Sequence, residues 1–157
     1  MLSGINHGPS TGHAVLHSGT VGAALTASTH GVRAMAVSMA TPEPSKWGAA
    51  WVVSRQALDW LLDASPDDPV VLNVNVPDLF EDRLRRTAGT AAPLRRRAGR
   101  GRGGRGRCRD SHLQRNGSGQ DPGTDAALVA DGSATVTPLR APCEAREVDV
   151  SAMADRV

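Results

Sequence analysis

The chain has 157 residues, 39% of them hydrophobic, and a formal net charge of +2, values typical of one ordinary water-soluble domain. Twelve of its eighteen lysines and arginines lie between Arg83 and Arg115, so a cationic segment interrupts an otherwise acidic chain. No tract approaches the roughly eighteen apolar residues of a membrane span, and the N-terminus lacks the basic-then-apolar order of a signal peptide. We therefore expect a cytoplasmic protein with no membrane partner. Cys108 and Cys143 form no C-x-x-C pair and are expected to be reduced.

The first segment, residues 3–12 (SGINHGPSTG), combines glycines with asparagine and hydroxyl side chains. This composition is typical of a loop whose backbone N–H groups approach an anion closely. Ser18 is a natural N-cap for a helix of small residues that runs to about Ser28 and ends near Gly31. The positive end of that helix dipole would point at whatever occupies the loop.

The next elements alternate between strand and helix. Residues 34–40 form a nearly continuous apolar run, which predicts a strand buried on both faces. Residues 47–64 give the clearest helix, and residues 70–76 give the next strand. The alternation predicts an α/β fold with a mainly parallel sheet.

Within residues 47–64, helical spacing predicts which side chains pack on the sheet. The apolar positions expected to pack are Trp51, Leu58, Leu61 and Leu62, while Arg55 and Asp59 are left for solvent. Three tryptophans, Trp47, Trp51 and Trp60, are interpreted as helix packing residues. Asn73 and Asn75 alternate with apolar residues in the next strand, and we favour a hydrogen-bonded core role for both over a polar face toward a site.

Residues 95–107 are dense in arginine and glycine and have no apolar periodicity. Such a segment cannot bury enough surface to repay its ordering entropy, so residues 83–120 are predicted to be disordered. Two explanations stay open. One is a shifted reading frame in a GC-rich gene, and the other is an RNA-binding arm that uses arginine charge and stacking. No aromatic residue is interleaved with the arginines, which weighs against the second.

Four segments, in order, resemble the SurE survival-protein family of metal-dependent nucleoside 5′-monophosphate phosphatases. They are residues 3–9 (SGINHGP), 18–21 (SGTV), 72–77 (LNVNVP), and 121–139, with its Gly-Thr-Asp and Thr-Pro-Leu motifs. The resemblance covers roughly residues 1–80 and 120–148. It implies a three-layer α/β/α fold with a mainly parallel, Rossmann-like sheet and a homo-oligomer. It also implies hydrolysis of nucleoside monophosphates with a divalent cation, Mg²⁺ or Mn²⁺.

Site residues follow from the same resemblance. Asn6 corresponds to the family's asparagine metal ligand, and its carbonyl oxygen suits Mg²⁺ or Mn²⁺. The alternative is a turn asparagine that satisfies its own backbone. Ser10 stands where many relatives have a second asparagine. The residues expected to bind phosphate are Ser10, Ser18, Gly19 and Thr20. Zinc on His7, His13 and His17 is disfavoured, because a loop broken by glycine and proline does not place them on one face.

One family feature has no counterpart, namely the Asn-Asp-Asp-Gly turn whose paired aspartates hold the cation. No catalytic residue is therefore identified, and we expect a chain truncated at its N-terminus, with the sheet incomplete there. The acid pair at 67–68 cannot substitute, because it precedes the strand at 70–76, whereas ligands bind beyond the carboxyl ends of strands.

The expected organisation has three parts: a partial SurE-like core over residues 1–80, the Arg/Gly-rich segment 83–120, and a SurE-like C-terminal segment 121–157. The favoured function is a SurE-type phosphomonoesterase, impaired by the missing aspartates. Two alternatives remain, a non-catalytic nucleic-acid-binding protein that uses the Arg/Gly-rich segment and a non-functional gene fragment.

Overall fold

A computed structural model describes residues 1–63, 70–89 and 123–141 of the chain. Within these ranges the strands and helices follow one another as β1 (Leu2–His7), α1 (Gly19–Thr29), β2 (Ala34–Met39), α2 (Trp47–Asp63), β3 (Val71–Val76), β4 (Arg85–Gly89), α3 (Asp125–Ala130) and β5 (Ser133–Leu139). Short 3-10 helices occupy Gly12–His17 and Glu81–Arg83. The predicted helix from Ser18 and the predicted strands and helix between 34 and 76 are confirmed.

The described strands form one sheet in the order β1-β2-β3-β5-β4. β1 pairs in parallel with β2, and β2 in parallel with β3. β5 runs antiparallel to β3 and parallel to β4. The mainly parallel sheet expected from the alternation of elements is therefore confirmed. As a result, β1, β2 and β3 all end at the same edge, which we call the carboxyl edge.

Two apolar clusters cover the two faces of the sheet. On one face, α1 packs Val21 and Ala24 against Ala34, Ala36 and Val71. On the other face, α2 packs against the alternate residues of the same strands, such as Met35, Val37, Leu72 and Val74. β2 and β3 are buried throughout, because each is covered on both faces. The predicted three-layer α/β/α arrangement is confirmed.

The face that α2 turns toward the sheet agrees with the prediction only in part. Leu61 is buried and Leu58 packs against the core cluster, as predicted, but Trp51 is 68% exposed and Leu62 is 64% exposed. The side chains that meet the sheet are mostly small ones, Ala49, Ala50, Val53 and Ala57. Small residues let a helix approach a sheet closely, and the bulky indoles are left outside. The interpretation of Trp47, Trp51 and Trp60 as packing residues was wrong, because all three are exposed. The predicted solvent side is confirmed by an exposed Arg55–Asp59 ion pair.

The start of the chain is a strand where the sequence predicts a loop. Residues 2–7 form β1, which pairs with β2 and shifts its register between Ser3 and Asn6. Gly4 lies in this irregular stretch with φ +121°, and a Cβ there would meet the carbonyl oxygen of Val37. The first glycine of the motif therefore permits close approach of two strand backbones rather than of an anion.

Several sequence predictions fall outside the described residues: the acid pair at 67–68, most of the Arg/Gly-rich segment, and both cysteines. The described structure continues past residue 83, where the sequence predicts disorder to begin, because residues 85–89 form β4 beside β5. In the described ranges, no helix combines the length and the apolar character needed to cross a membrane.

Candidate functional site

A row of polar residues crosses the sheet near the carboxyl edge. The strand registers pair Asn6 with Ser38, Ser38 with Asn75, and Asn75 with Thr135. Side chains that are paired across neighbouring strands point to the same face. The apolar side chains of that face belong to the α1 cluster, so this polar row lies beneath the loop that leads into α1.

Ser10 lies at the centre of this region and is buried. Its hydroxyl is 2.9 Å from the Ser18 hydroxyl and accepts a hydrogen bond of 3.0 Å from the Ser38 hydroxyl. Its backbone N–H donates to Asn75 Oδ1 at 2.7 Å, and its carbonyl accepts from Asn73 Nδ2 at 2.8 Å and Asn75 Nδ2 at 3.2 Å. Ser10 therefore fixes the loop to β2 and β3 of the sheet.

The N-terminus of α1 opens beside Ser10. The Ser18 hydroxyl accepts from the backbone N–H of Val21 at 3.2 Å, so Ser18 is the N-cap that the sequence predicts. The first N–H groups of a helix have no partner within the helix, and here those of Gly19 and Thr20 precede the capped one. A Cβ added to Gly19 would meet nothing within 4 Å, so the backbone is accessible at that point. Accessible N–H groups at a positive dipole end favour an anion.

Asn6 lies at the end of β1 in the same polar row. Its Nδ2 donates to the carbonyl of Gly8 at 2.9 Å. This bond is the local backbone contact that the turn interpretation of Asn6 anticipates. The bond uses the amide nitrogen of Asn6. The amide oxygen, which is the atom that a hard cation would bind, stays available. Both roles predicted for Asn6 are compatible with this geometry.

Asp125, in the C-terminal segment, contacts the loop at the site, and the sequence analysis did not predict this. Both its carboxylate oxygens accept from the backbone N–H of Gly12, at 3.2 and 3.1 Å. Asp125 is the first residue of α3, whose N-cap Thr124 accepts from Ala127 N–H. The signal was present in the Gly-Thr-Asp motif, because Thr followed by Asp at a helix start is a common capping pattern. Its distance from residues 8–12 in sequence concealed the contact.

The two asparagines of β3 have the buried role that the sequence favours. Both are fully buried and hydrogen-bonded to Ser10. Asn73 Oδ1 and Thr135 Oγ1 have no hydrogen-bond partner among the described residues. Buried polar atoms cost free energy when they are unpaired. These two atoms therefore form a costly polar layer directly beneath the loop.

The donors gathered here meet the needs of a divalent cation only in part. Across residues 1–63, 70–89 and 123–141, no three His, Cys, Asp or Glu side chains group as a metal site. The candidate zinc ligands His7, His13 and His17 form no such group. One amide oxygen of Asn6 is a suitable ligand for Mg²⁺ or Mn²⁺, but it carries no charge to offset dehydration of the ion. The described residues therefore do not complete a metal site.

Asp78 fixes the loops on the α2 side of the carboxyl edge. Its Oδ1 accepts from the N–H groups of Ser45 and Lys46 at 2.9 and 2.7 Å, and its Oδ2 accepts from the Ser45 hydroxyl at 2.9 Å. Desolvation opposes the charged form, but these hydrogen bonds and the nearby Lys46 charge outweigh it, so the pKa of Asp78 is lowered. The start of α2 is thereby tied to the end of β3.

Comparisons of this chain with a family model and with individual known proteins agree on one family. Residues 1–99 match the family model described as Survival protein SurE. Proteins named 5′-nucleotidase SurE are 37% identical over 151 residues in Anaeromyxobacter dehalogenans strain 2CP-C and 36% identical over 154 residues in Nitrosococcus oceani. These matches cover 88% and 89% of this chain but 56% and 57% of the relatives. The chain thus spans little more than half the length of the curated relatives it matches.

Among solved structures, the crystal structure of a SurE protein from Aquifex aeolicus superposes with a TM-score of 0.68 at 23% sequence identity. The superposition covers 99% of this chain and 64% of that one. At this identity the likeness supports the fold alone.

Proposed function

The chain belongs to the SurE family, and from that premise we propose that it supplies the phosphate-binding part of an enzyme that hydrolyses nucleoside 5′-monophosphates to nucleoside and phosphate. The observation that carries the proposal is the contact between Ser10 and Ser18. This contact holds the accessible N-terminus of α1 against the polar row of the sheet. An anion-binding helix start at the carboxyl edge of an α/β sheet is where such folds bind phosphate.

In this proposal the N–H groups of Gly19 and Thr20 and the Thr20 hydroxyl donate to phosphate oxygens. Ser18 holds the first turn in place by capping Val21. Ser10 positions Ser18 from below, because its own backbone is held by Asn73 and Asn75. Fixed donors aimed at a phosphoryl group stabilise the charge that develops as water attacks phosphorus, and they need no rearrangement during the reaction.

Hydrolysis in this family type is proposed to depend on Mg²⁺ or Mn²⁺, with Asn6 supplying one ligand through Oδ1. When bound, such an ion polarises the phosphoryl oxygen and activates water. The described residues bring no carboxylate cluster to Asn6. We therefore expect the polypeptide of this sequence to bind nucleotide and to hydrolyse it poorly.

Phosphate binding is tested by comparing two variants, Ser18→Asn and Ser18→Asp, whose introduced side chains are nearly isosteric with each other and differ in charge. Asparagine and aspartate cap helices about as well as serine, so both variants should keep the fold. The aspartate places a negative charge where the phosphate would bind. By calorimetry, adenosine 5′-monophosphate should bind Ser18→Asp at least about tenfold more weakly than Ser18→Asn, which corresponds to roughly 1.4 kcal/mol. Equal affinity in the two variants would contradict the site.

Hydrolysis is tested by phosphate release from the same nucleotide with Mg²⁺ or Mn²⁺. The chain should release phosphate no faster than Asn6→Ala. A fusion that places a family Asn-Asp-Asp-Gly segment ahead of Met1 should gain metal-dependent hydrolysis. In that fusion Asn6→Ala should lower the rate by about 10- to 100-fold, as ligand-shell changes do. Rapid, Asn6-dependent turnover by the chain itself would show that the essential ligands are misassigned.

A cytoplasmic location and a homo-oligomer complete the proposal. The exposed apolar side chains of α2, including Trp51 and Leu62, support association between subunits. Sedimentation at two protein concentrations measures it directly. Nucleic-acid binding rests on residues outside the described ranges. It is tested by retention on RNA, which should fall steeply with salt if the arginines act through charge.

A further inference from the structure

At the carboxyl edge, on the face opposite α1, two aromatic rings meet. His7 is the last residue of β1 and Trp47 is the first residue of α2. Their ring centroids lie 5.6 Å apart, with the planes inclined by 49°. Trp47 remains 43% exposed and does not belong to the core cluster beneath α2. The indole is therefore held in place at the surface rather than used to fill the interior.

The position of Trp47 is fixed by the residues before it. Asp78 accepts hydrogen bonds from the backbone N–H groups of Ser45 and Lys46, which lead directly into Trp47. The His7 ring braces the indole from the strand side. A fixed, exposed aromatic surface stacks on a flat ring at little cost in conformational entropy.

This aromatic surface and the phosphate site lie on opposite faces of the sheet, at the same carboxyl edge. Asn6 and His7 are neighbours in β1, and strand alternation directs them to opposite faces of the sheet. Asn6 pairs with Ser38 on the α1 face, and His7 pairs with Met39, which packs with the α2 cluster. Gly8 follows with φ +98°, and a Cβ there would meet nothing within 4 Å. Its N–H donates to the carbonyl of Thr41 at 2.9 Å, so the edge between the two sites is formed by backbone and carries no side chain at Gly8.

We propose that Trp47, braced by His7, is the nucleobase subsite of this protein. The inference rests on the proposed function, because the phosphate at the α1 N-terminus sets the direction in which the nucleoside extends. The ligand crosses the sheet edge at Gly8 and stacks its base on the exposed indole. Trp51 follows one helical turn after Trp47 and lacks the contact with His7, whereas Trp60 lies thirteen residues further along α2, roughly 20 Å from Trp47 at the rise of an α-helix.

The test compares Trp47→Leu with Trp60→Leu. The two indoles are 43% and 41% exposed and lie in the same helix, so the changes are matched in chemistry and burial. Calorimetry measures the affinity of each protein for adenosine 5′-monophosphate and for ribose 5-phosphate, which lacks the base. The unmodified chain should bind the nucleotide about tenfold more tightly than the sugar phosphate, within the range of base stacking on aromatic side chains.

Trp47→Leu should abolish that preference without changing affinity for ribose 5-phosphate, and Trp60→Leu should retain it. Trp47→Phe, which keeps a ring, should restore part of the preference, and His7→Ala should reduce it by loosening the indole. Equal binding of both ligands by the unmodified chain would overturn the subsite and leave the phosphate site standing. No binding of either ligand would overturn both proposals.

Discussion

The backbone N–H of Ser10 donates a 2.7 Å hydrogen bond to Oδ1 of Asn75, and Nδ2 of the same side chain donates back to the Ser10 carbonyl at 3.2 Å. One buried amide thus satisfies both backbone groups of a residue 65 positions away. A loop that is rich in glycine would otherwise move freely, and the two bonds fix it over the centre of the sheet. The geometry of the proposed phosphate site depends on this contact.

We expect Asn75→Ala to lower the free energy of unfolding by about 3 kcal/mol, because it leaves the buried N–H of Ser10 without an acceptor. Asn73→Ala is the matched control, since Asn73 is equally buried on the same strand face. Asn73 donates to the Ser10 carbonyl, which keeps its second donor, and its own Oδ1 has no described partner. Asn73→Ala should therefore lower the free energy of unfolding by about 1 kcal/mol less than Asn75→Ala does. Urea denaturation followed by tryptophan fluorescence measures both, and equal costs would contradict the proposed role of Asn75.

Asp125 ties the C-terminal segment to the loop at Gly12. We expect Asp125→Ala to raise the exchange rate of the Gly12 amide about tenfold, because the loss of one charge-assisted hydrogen bond corresponds to roughly 1.5 kcal/mol. The control is Asp131→Ala at the other end of α3, which removes the ion pair with Arg85 and leaves Gly12 untouched. Hydrogen exchange measured by NMR resolves the single amide. Unchanged exchange in Asp125→Ala would show that Asp125 does not hold the loop at Gly12.

The lowered pKa of Asp78 predicts a stability that depends on pH. A carboxyl whose pKa is lower in the folded state than its usual value near 3.8 stabilises the fold above that value. The contribution is lost as the pH falls through the lowered pKa. The gap in urea midpoint between the unmodified chain and Asp78→Asn should therefore be constant from pH 6 to about 4.5 and should narrow below pH 4. Asp82→Asn controls for the loss of one exposed negative charge. A gap that widens on acidification would mean that the pKa of Asp78 is raised, not lowered, in the folded state.

Adjacent leucines test which face of α2 is buried. Leu61 is buried in the core cluster and Leu62 is exposed. At a protein concentration low enough to keep the chain monomeric, Leu61→Ala should lower the free energy of unfolding by about 2 to 4 kcal/mol, whereas Leu62→Ala should change it by less than about 0.5 kcal/mol. Urea unfolding of the dilute protein gives both values. Similar losses at the two positions under these conditions would contradict the assigned face of α2.

Much of the fold could be predicted because local patterns and packing agree. The apolar runs of β2 and β3 are buried on both faces, and Ser18 caps α1, as the sequence indicates. The motifs that carry the family resemblance also lie in the order that the structure uses, so the fold class and the serine-capped helix start follow from the sequence alone.

Tertiary structure decided three other points. The buried face of α2 was predicted only in part. Leu58 and Leu61 pack with the core as expected, but the apolar positions at helical spacing also include the exposed Trp51 and Leu62, and only packing against the sheet selects the alanine-lined face. Residues 2–7 form a strand because β2 offers a partner, which overrides the local preference of Gly4 and Asn6 for turns. Asp125 reaches Gly12, and Asn75 reaches Ser10, across long stretches of sequence. Such contacts depend on which strands and helices lie side by side in the folded chain. No local pattern of residues indicates which distant residues will meet.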